Sequence, residues 1–190
     1  MKIIAGELRG RRMLAPEGLG TRPMLGRARE ALFSSIGDEV CDARILDLFS
    51  GTGSLGLEAI SRGAQFVHYV ERNPKVIRVL ERNLSDMRVS DRAQVRTGDA
   101  LAPTSWGQGP YDMVFMDPPY PMLKEPDGRR RVLAAVRTLL DQHLTPFGLL
   151  MLHTEPRAIS EHDFDESCEV DQRKYGRTIL WYVRKREETQ

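Results

Sequence analysis

The tetrapeptide Asp117-Pro118-Pro119-Tyr120 directly follows the apolar run Asp112-Met113-Val114-Phe115-Met116. Two consecutive prolines fix an extended backbone and remove two N–H donors, so the Asp117 carboxylate and the nearby carbonyls form a surface of acceptors. An amino group can donate into that surface and aim its lone pair at an electrophile. Tyr120 adds a ring on which a flipped nucleobase could stack, worth about 1–3 kcal/mol. No covalent nucleophile is required. A stiff turn at the end of a buried strand would also explain Pro-Pro taken alone, so the reading depends on what surrounds it.

The second constellation is Gly51-Thr52-Gly53-Ser54-Leu55-Gly56, a G-x-G-x-x-G loop between a strand-like run and a helical one. Glu71 lies twenty residues beyond Gly51, at the end of the next strand. Such a loop lets backbone approach a ligand at a helix start, and a carboxylate at the second strand tip can accept both ribose hydroxyls. An adenosine group fits, whether from NAD or from S-adenosyl-L-methionine. Asp47, within the strand that approaches the loop, separates the two: a carboxylate there suits a cationic amino group and repels a pyrophosphate. Asp99, in Gly98-Asp99-Ala100 past the third strand, is placed to accept an adenine amino proton. The expected cofactor is therefore S-adenosyl-L-methionine, held by Asp47, Phe49, Ser50, Gly51, Gly53, Glu71, Arg72, Asp99 and Ala100. The expected catalytic set is Asp117, Pro118, Pro119 and Tyr120.

These groups need a scaffold that brings strand ends together, and the apolar spacing supplies one. Arg44 to Phe49, Phe66 to Val70, Ala93 to Thr97, Tyr111 to Met116 and Phe147 to His153 read as strands. Helical spacing falls between them at Ser54 to Arg62, after the Asn73-Pro74 cap pair (Ile77, Leu80, Leu84, Met87) and from Arg129 to Gln142. A further helix spans Gly26 to Ile36 and stops at Gly37. Alternation of this kind predicts a mostly parallel sheet with helices on both faces. Glu166 to Lys174 and Arg177 to Arg184 flank Tyr175-Gly176 as an antiparallel hairpin on the sheet edge. The expected fold is thus α/β and Rossmann-like, with seven strands. Residues 26–190 form its domain, preceded by a small N-terminal β-hairpin arm (1–25) with turns at Gly6 and Gly10 and a Pro16–Gly20 loop.

Taken together, these motifs identify the arrangement as similar to a class I methyltransferase of the amino-methylating group, whose signature is Asp/Asn/Ser-Pro-Pro-Tyr/Phe/Trp. Nearly end to end, the chain resembles the RsmD family of 16S ribosomal RNA guanine-N2 methyltransferases. The stretches that carry the resemblance are Ile3-Ile4-Ala5-Gly6 with Arg9-Gly10-Arg11, Thr21-Arg22-Pro23, Arg27 to Phe33, Asp47 to Gly53, Val70-Glu71, Asp117 to Tyr120 and Lys174-Tyr175-Gly176. The resemblance implies methylation of the N2 amine of a guanine in 16S ribosomal RNA. It also implies cofactor roles for Asp47, Gly51, Gly53, Glu71 and Asp99, and target-amine roles for Asp117 through Tyr120. The chain departs from the family after Thr21-Arg22-Pro23, where Met24-Leu25-Gly26 replace the usual Thr-Thr-Asp.

Charge is unevenly placed. The first thirty residues hold seven basic groups (Lys2, Arg9, Arg11, Arg12, Arg22, Arg27, Arg29) against Glu7, Glu17 and Glu30, a local +4 in a chain of net +1, which leaves −3 for the rest. Clustered Arg and Lys displace counterions from phosphates, so Arg9, Arg11, Arg12, Arg22 and Arg27 are candidate RNA contacts, joined by Arg129 and Arg130 beside the tetrapeptide. A solvated tail is the plain alternative. The partner expected is 16S rRNA or the small ribosomal subunit. No apolar run is long enough to cross a bilayer and no signal-type core follows Met1, so a cytoplasmic monomer is expected. Cys41 and Cys168 have no metal-type spacing, and no metal is expected. His153, on an apolar strand, reads as a core histidine, and Trp106 as a local anchor. Two other classes share parts of the pattern: an NAD-dependent oxidoreductase shares the glycine loop, and a non-catalytic RNA-binding module shares the basic arm. Adenine N6, cytosine N4 and protein glutamine are targets for related tetrapeptides.

Overall fold

Strand and helix alternate along most of the chain because its apolar residues switch between runs that fill a two-sided sheet and stripes that cover it. The computed structural model describes residues 1–15 and 26–186. Arg22, the Pro16–Gly20 loop, the Thr21-Arg22-Pro23 stretch and Met24-Leu25 lie outside the described residues. The elements are α1 (Gly26–Ile36), β1 (Arg44–Leu48), α2 (Ser54–Ser61), β2 (Phe66–Glu71), α3 (Pro74–Met87), β3 (Ala93–Thr97), β4 (Tyr111–Met116), α4 (Tyr120–Lys124), α5 (Pro126–Gln142), β5 (Leu144–Thr154), β6 (Cys168–Tyr175) and β7 (Thr178–Lys185).

The seven strands form one sheet in the order β3-β2-β1-β4-β5-β7-β6. The first five are parallel; β7 runs antiparallel to β5 and pairs with β6 as the expected hairpin. Alternate residues of each central strand serve opposite cores. Ile45, Met113, Phe115, Leu149 and Met151 pack under α1, α2 and α3. Leu46, Leu48, Val114, Met116, Leu150 and Leu152 pack under α4 and α5. Burial on both faces is why these strands read as continuous apolar runs. Trp106 is fully buried and its indole N–H donates to the Ala100 carbonyl at 2.9 Å, which makes it the local anchor expected.

Helix α5 starts three residues earlier than expected, at Pro126, and two further differences bear on the site. β5 starts at Leu144, and its pairing with β4 shifts between Tyr111–Leu144 and Met113–Leu149, so Pro146, expected before the strand, lies within it and shares a register break with Gly148. A short helix, α4, begins at Tyr120, with Pro121 in its first turn where a missing N–H costs nothing. The tetrapeptide therefore ends on a helix start.

Residues 1–15 form a hairpin of one bridge, Lys2 with Arg12, and they lie against the body. Ile3, Leu8 and Met13 are buried in the same core as α1 and α2. The fully buried Glu58 carboxylate accepts the Ile4 and Ala5 N–H groups at 2.8 and 3.0 Å and the Arg62 Nε–H at 2.9 Å. Buried Arg29 faces Glu58 at 3.8 Å and donates to the Lys2 carbonyl at 2.5 Å. Arg29 is thus a structural cation and not part of a solvated basic tail; its burial lowers its pKa. Among the described residues no helix is long and apolar enough to cross a membrane.

Candidate active site

β1 feeds its loop toward β2 on one side, and β4 feeds its loop toward β5 on the other. Their carboxyl ends therefore mark the point where strand order reverses and a crevice must open. The glycine loop and the Asp-Pro-Pro-Tyr segment leave from those two ends. Leu48 pairs with Met116 across the strands, and the Asp117 N–H reaches the Leu48 carbonyl at 3.5 Å.

The loop from Phe49 to Gly53 turns through left-handed conformations at Phe49, Gly51 and Gly53 (φ 57°, 55° and 83°). Phe49 adopts there a conformation that costs a non-glycine residue roughly 1–3 kcal/mol. A Cβ on Gly51 would meet only the Phe49 carbonyl, at 3.9 Å, whereas one on Gly53 would overlap Leu80. Gly56 is glycine for another reason: the Tyr69 ring lies against α2 where its Cβ would stand. The third glycine of the motif thus serves helix–strand packing. Ser50 Oγ is buried without a hydrogen-bond partner among the described residues.

Asp47 is 1% exposed and accepts the Gly56 N–H at 3.0 Å, a donor in the first turn of α2 that has no partner within the helix. It therefore caps α2 from the strand, as the Gly53 N-cap cannot. Burial pushes its pKa up to about 8, and the charges of Asp117 and Glu71 push the same way. Glu71 ties the loop to β2: its carboxylate accepts the Gly51 N–H at 3.1 Å and those of Arg72 and Asn73 at 2.9 Å each. Arg72 itself is exposed. Asp99, also exposed, accepts the Leu101 N–H at 3.0 Å and faces the Arg131 guanidinium at 2.7 Å. Buried Ala100 follows it.

In the tetrapeptide, Pro118 is buried, Pro119 is exposed, and Asp117 and Tyr120 are half-buried. Asp117 Oδ1 lies 2.6 Å from Nδ1 of His153, and the Tyr120 hydroxyl lies 3.3 Å from Nε2 of the same ring. Burial, and next the Asp117 charge, raise the pKa of the Tyr120 phenol. His153 is 3% exposed, as a core histidine should be, yet both its nitrogens face the tetrapeptide. The sequence reading missed that link. The signal was available in the strand register: once β4 and β5 are parallel neighbours with Met116 beside Leu152, the next residues are Asp117 and His153.

The basic candidates divide. Arg9, Arg12 and Arg27 are exposed. Arg11 donates to the Met87 and Asp86 carbonyls at 3.2 and 2.6 Å, at the end of α3 where a cation complements the helix dipole. Arg129 bonds both oxygens of Asp163 at 2.7 Å, and exposed Arg130 pairs with Asp127. Another group missed from sequence is buried Asn83. It accepts the Leu14 N–H at 2.7 Å and donates to the Leu14 and Thr52 carbonyls at 3.2 and 3.1 Å, joining the arm to the glycine loop.

Comparison with known proteins agrees with this fold. The family model described as conserved hypothetical protein 95 matches residues 1–184. A protein named putative rRNA methyltransferase YlbH, from Bacillus subtilis (strain 168), is 33% identical over 166 residues, covering 86% of this chain and 83% of that one. Ribosomal RNA small subunit methyltransferase D of Escherichia coli (strain K12) is 37% identical over 120 residues; the match covers 63% of this chain and 60% of that protein, less than two thirds of its length. Among solved structures, one described as the putative methyltransferase yhhF from Escherichia coli superposes with a TM-score of 0.80 at 28% identity, over 99% of both chains.

Proposed function

From the premise that this chain belongs to the conserved hypothetical protein 95 family, the RsmD family of S-adenosylmethionine-dependent methyltransferases, we propose that it methylates the exocyclic N2 amine of a guanine in 16S ribosomal RNA. The observation that carries the reading is the adjacency of two segments at the strand-order reversal. The glycine loop leaves β1 beside the point where Asp-Pro-Pro-Tyr leaves β4, so a methyl donor and an amine acceptor would share one crevice. Ribosomal RNA as the substrate follows from relatives that are named for rRNA methylation.

The site suits S-adenosyl-L-methionine better than a dinucleotide. Asp47, Glu71 and Asp117 are close enough that the latter two raise the pKa of the first, and a cationic ligand relieves that repulsion while a pyrophosphate adds to it. Ser50 Oγ, buried and unpartnered among the described residues, is free to bond a ligand. Asp47 and Ser50 would meet the amino acid part, with Gly51 and Gly53 allowing close approach. Glu71 retains acceptor capacity beyond its three N–H partners for the ribose, and Asp99 keeps a free lone-pair site on each oxygen for the adenine. When bound, S-adenosyl-L-methionine supplies an electrophilic methyl group. Asp117 and the Pro118 carbonyl accept the N–H groups of the target amine, which aligns its lone pair, and Tyr120 stacks on the base. The proton leaves to Asp117 or to water.

Transfer of labelled methyl to small ribosomal subunits lacking the modification, read by mass spectrometry of the nucleosides, tests the proposal. N2-methylguanosine is the expected product. N6-methyladenosine or N4-methylcytidine would replace the base, and label on ribosomal protein alone would overturn the RNA substrate.

A further inference from the structure

The register of β4 and β5 brings His153 beside Asp117, and the contacts beyond the backbone are specific. A carboxylate only accepts, so the 2.6 Å contact requires the hydrogen on Nδ1 to donate to Asp117 Oδ1. That leaves the Nε2 lone pair to accept the Tyr120 O–H at 3.3 Å. The Tyr120 and His153 rings meet edge to face, 5.6 Å apart at 75°. One buried imidazole therefore joins the first and last residues of the tetrapeptide. A side chain that merely filled the core between β4 and β7 would need neither bond, and Leu or Met would fill that space without burying polar atoms. The Asp117 side chain, by contrast, keeps 26% of its surface exposed, so an oxygen remains available to a ligand.

We propose that His153 is a positioning residue for amine methylation: its Nδ1–H fixes one Asp117 oxygen so that the other faces the target amine, while Nε2 sets the angle of the Tyr120 ring. The proposal rests on the roles given above to Asp117 and Tyr120. A short hydrogen bond to an ionised acceptor is among the stronger ones, and a misplacement near 1 Å at a reacting centre costs on the order of a hundredfold in rate.

Two measurements test it. In the wild-type protein, nitrogen-15 NMR of the histidine rings should show one buried imidazole protonated at Nδ1, with a shift that moves in Asp117→Asn and in Tyr120→Phe. A ring protonated only at Nε2 would overturn the proposal. This reading needs no methyl acceptor, so it separates failure of the link from failure of the substrate assignment. In steady-state assays His153→Leu should lower kcat about ten- to hundredfold with the KM for S-adenosyl-L-methionine and the melting temperature little changed. His153→Asn, whose amide N–H can replace Nδ1–H at the carboxylate, should restore most of the wild-type rate. Combined with Asp117→Ala, which removes the acceptor, His153→Leu should add little. Wild-type kcat in His153→Leu, equal impairment in the Leu and Asn variants, or effects that multiply in the double variant would each overturn the positioning role.

Discussion

Asp47 lies within β1 and Asp117 just past the end of β4, and the two carboxylates sit in different environments. Asp117 is half-buried, with 26% of its side chain exposed, so Asp117→Ala should leave S-adenosyl-L-methionine affinity close to wild type while transfer falls by a factor of a hundred or more, roughly; isothermal titration beside single-turnover assays checks both halves. Asp47 is buried and its pKa is raised from 3.8 to about 8. The folded chain then keeps a proton that the unfolded chain releases above about pH 4, so stability falls as pH rises from about 4 to about 8. Asp47→Asn should flatten that slope in urea titrations across the same range, since an amide oxygen still accepts the Gly56 N–H. A cationic amino group beside Asp47 favours its ionised form, so binding near pH 7 should release a proton, which calorimetry in buffers of differing ionisation enthalpy would detect. Equal heats across buffers would remove Asp47 from the ligand's amino group.

At the scale of elements, α2 carries more than its eight residues suggest. Its first turn is capped by Asp47, its Gly56 admits Tyr69, and its Glu58 and Ser61 hold the N-terminal segment. Gly56→Ala should cost about 1–3 kcal/mol through overpacking against Tyr69, measured by denaturant unfolding, even though alanine favours helices. The α5 arginines illustrate how pairing redirects charge. A run of three looks like a phosphate grip in one dimension, yet on the folded surface the first and third reach Asp163 and Asp99 and the second turns back to Asp127. Arg131 belongs with the rim of the proposed adenine site for that reason.

For the molecule as a whole, the N-terminal segment is a docked element with an exposed basic face. Removing it entirely would strip Ile3, Leu8 and Met13 from the core and take two N–H donors from the Glu58 carboxylate, so a deletion would report on folding as much as on RNA. Charge substitution isolates the electrostatic part. Arg9→Ala with Arg12→Ala should weaken RNA binding severalfold at low salt and reduce the slope of log affinity against log salt by about 0.7–0.9 for each phosphate no longer neutralised, with melting unchanged. An unaltered slope would move the RNA-binding face elsewhere. The same segment reaches the glycine loop through Asn83, so its position and that of Thr52 share one amide.

The strand and helix order, the glycine loop, Glu71 and the Asp-Pro-Pro-Tyr segment were legible in the sequence because each is a local signal: apolar period, backbone freedom, or a run of residues whose chemistry is set by its neighbours in the chain. Two-sided burial of a parallel sheet writes itself into continuous apolar runs, so the fold class was legible as well. What stayed hidden depends on which strands and helices become neighbours. Arg29 and Glu58 are distant in sequence and look like surface charges until α1 and α2 close over the N-terminal segment. Asp47 reads only as a carboxylate suited to a cationic amino group until its bond to the Gly56 N–H ties it to α2. His153 reads as one more core position until the register of β4 and β5 sets it between Asp117 and Tyr120. Side-chain identity determined which chemistry was available; the pairing of distant strands, imposed by packing and hydrogen-bond register, decided which of those groups meet.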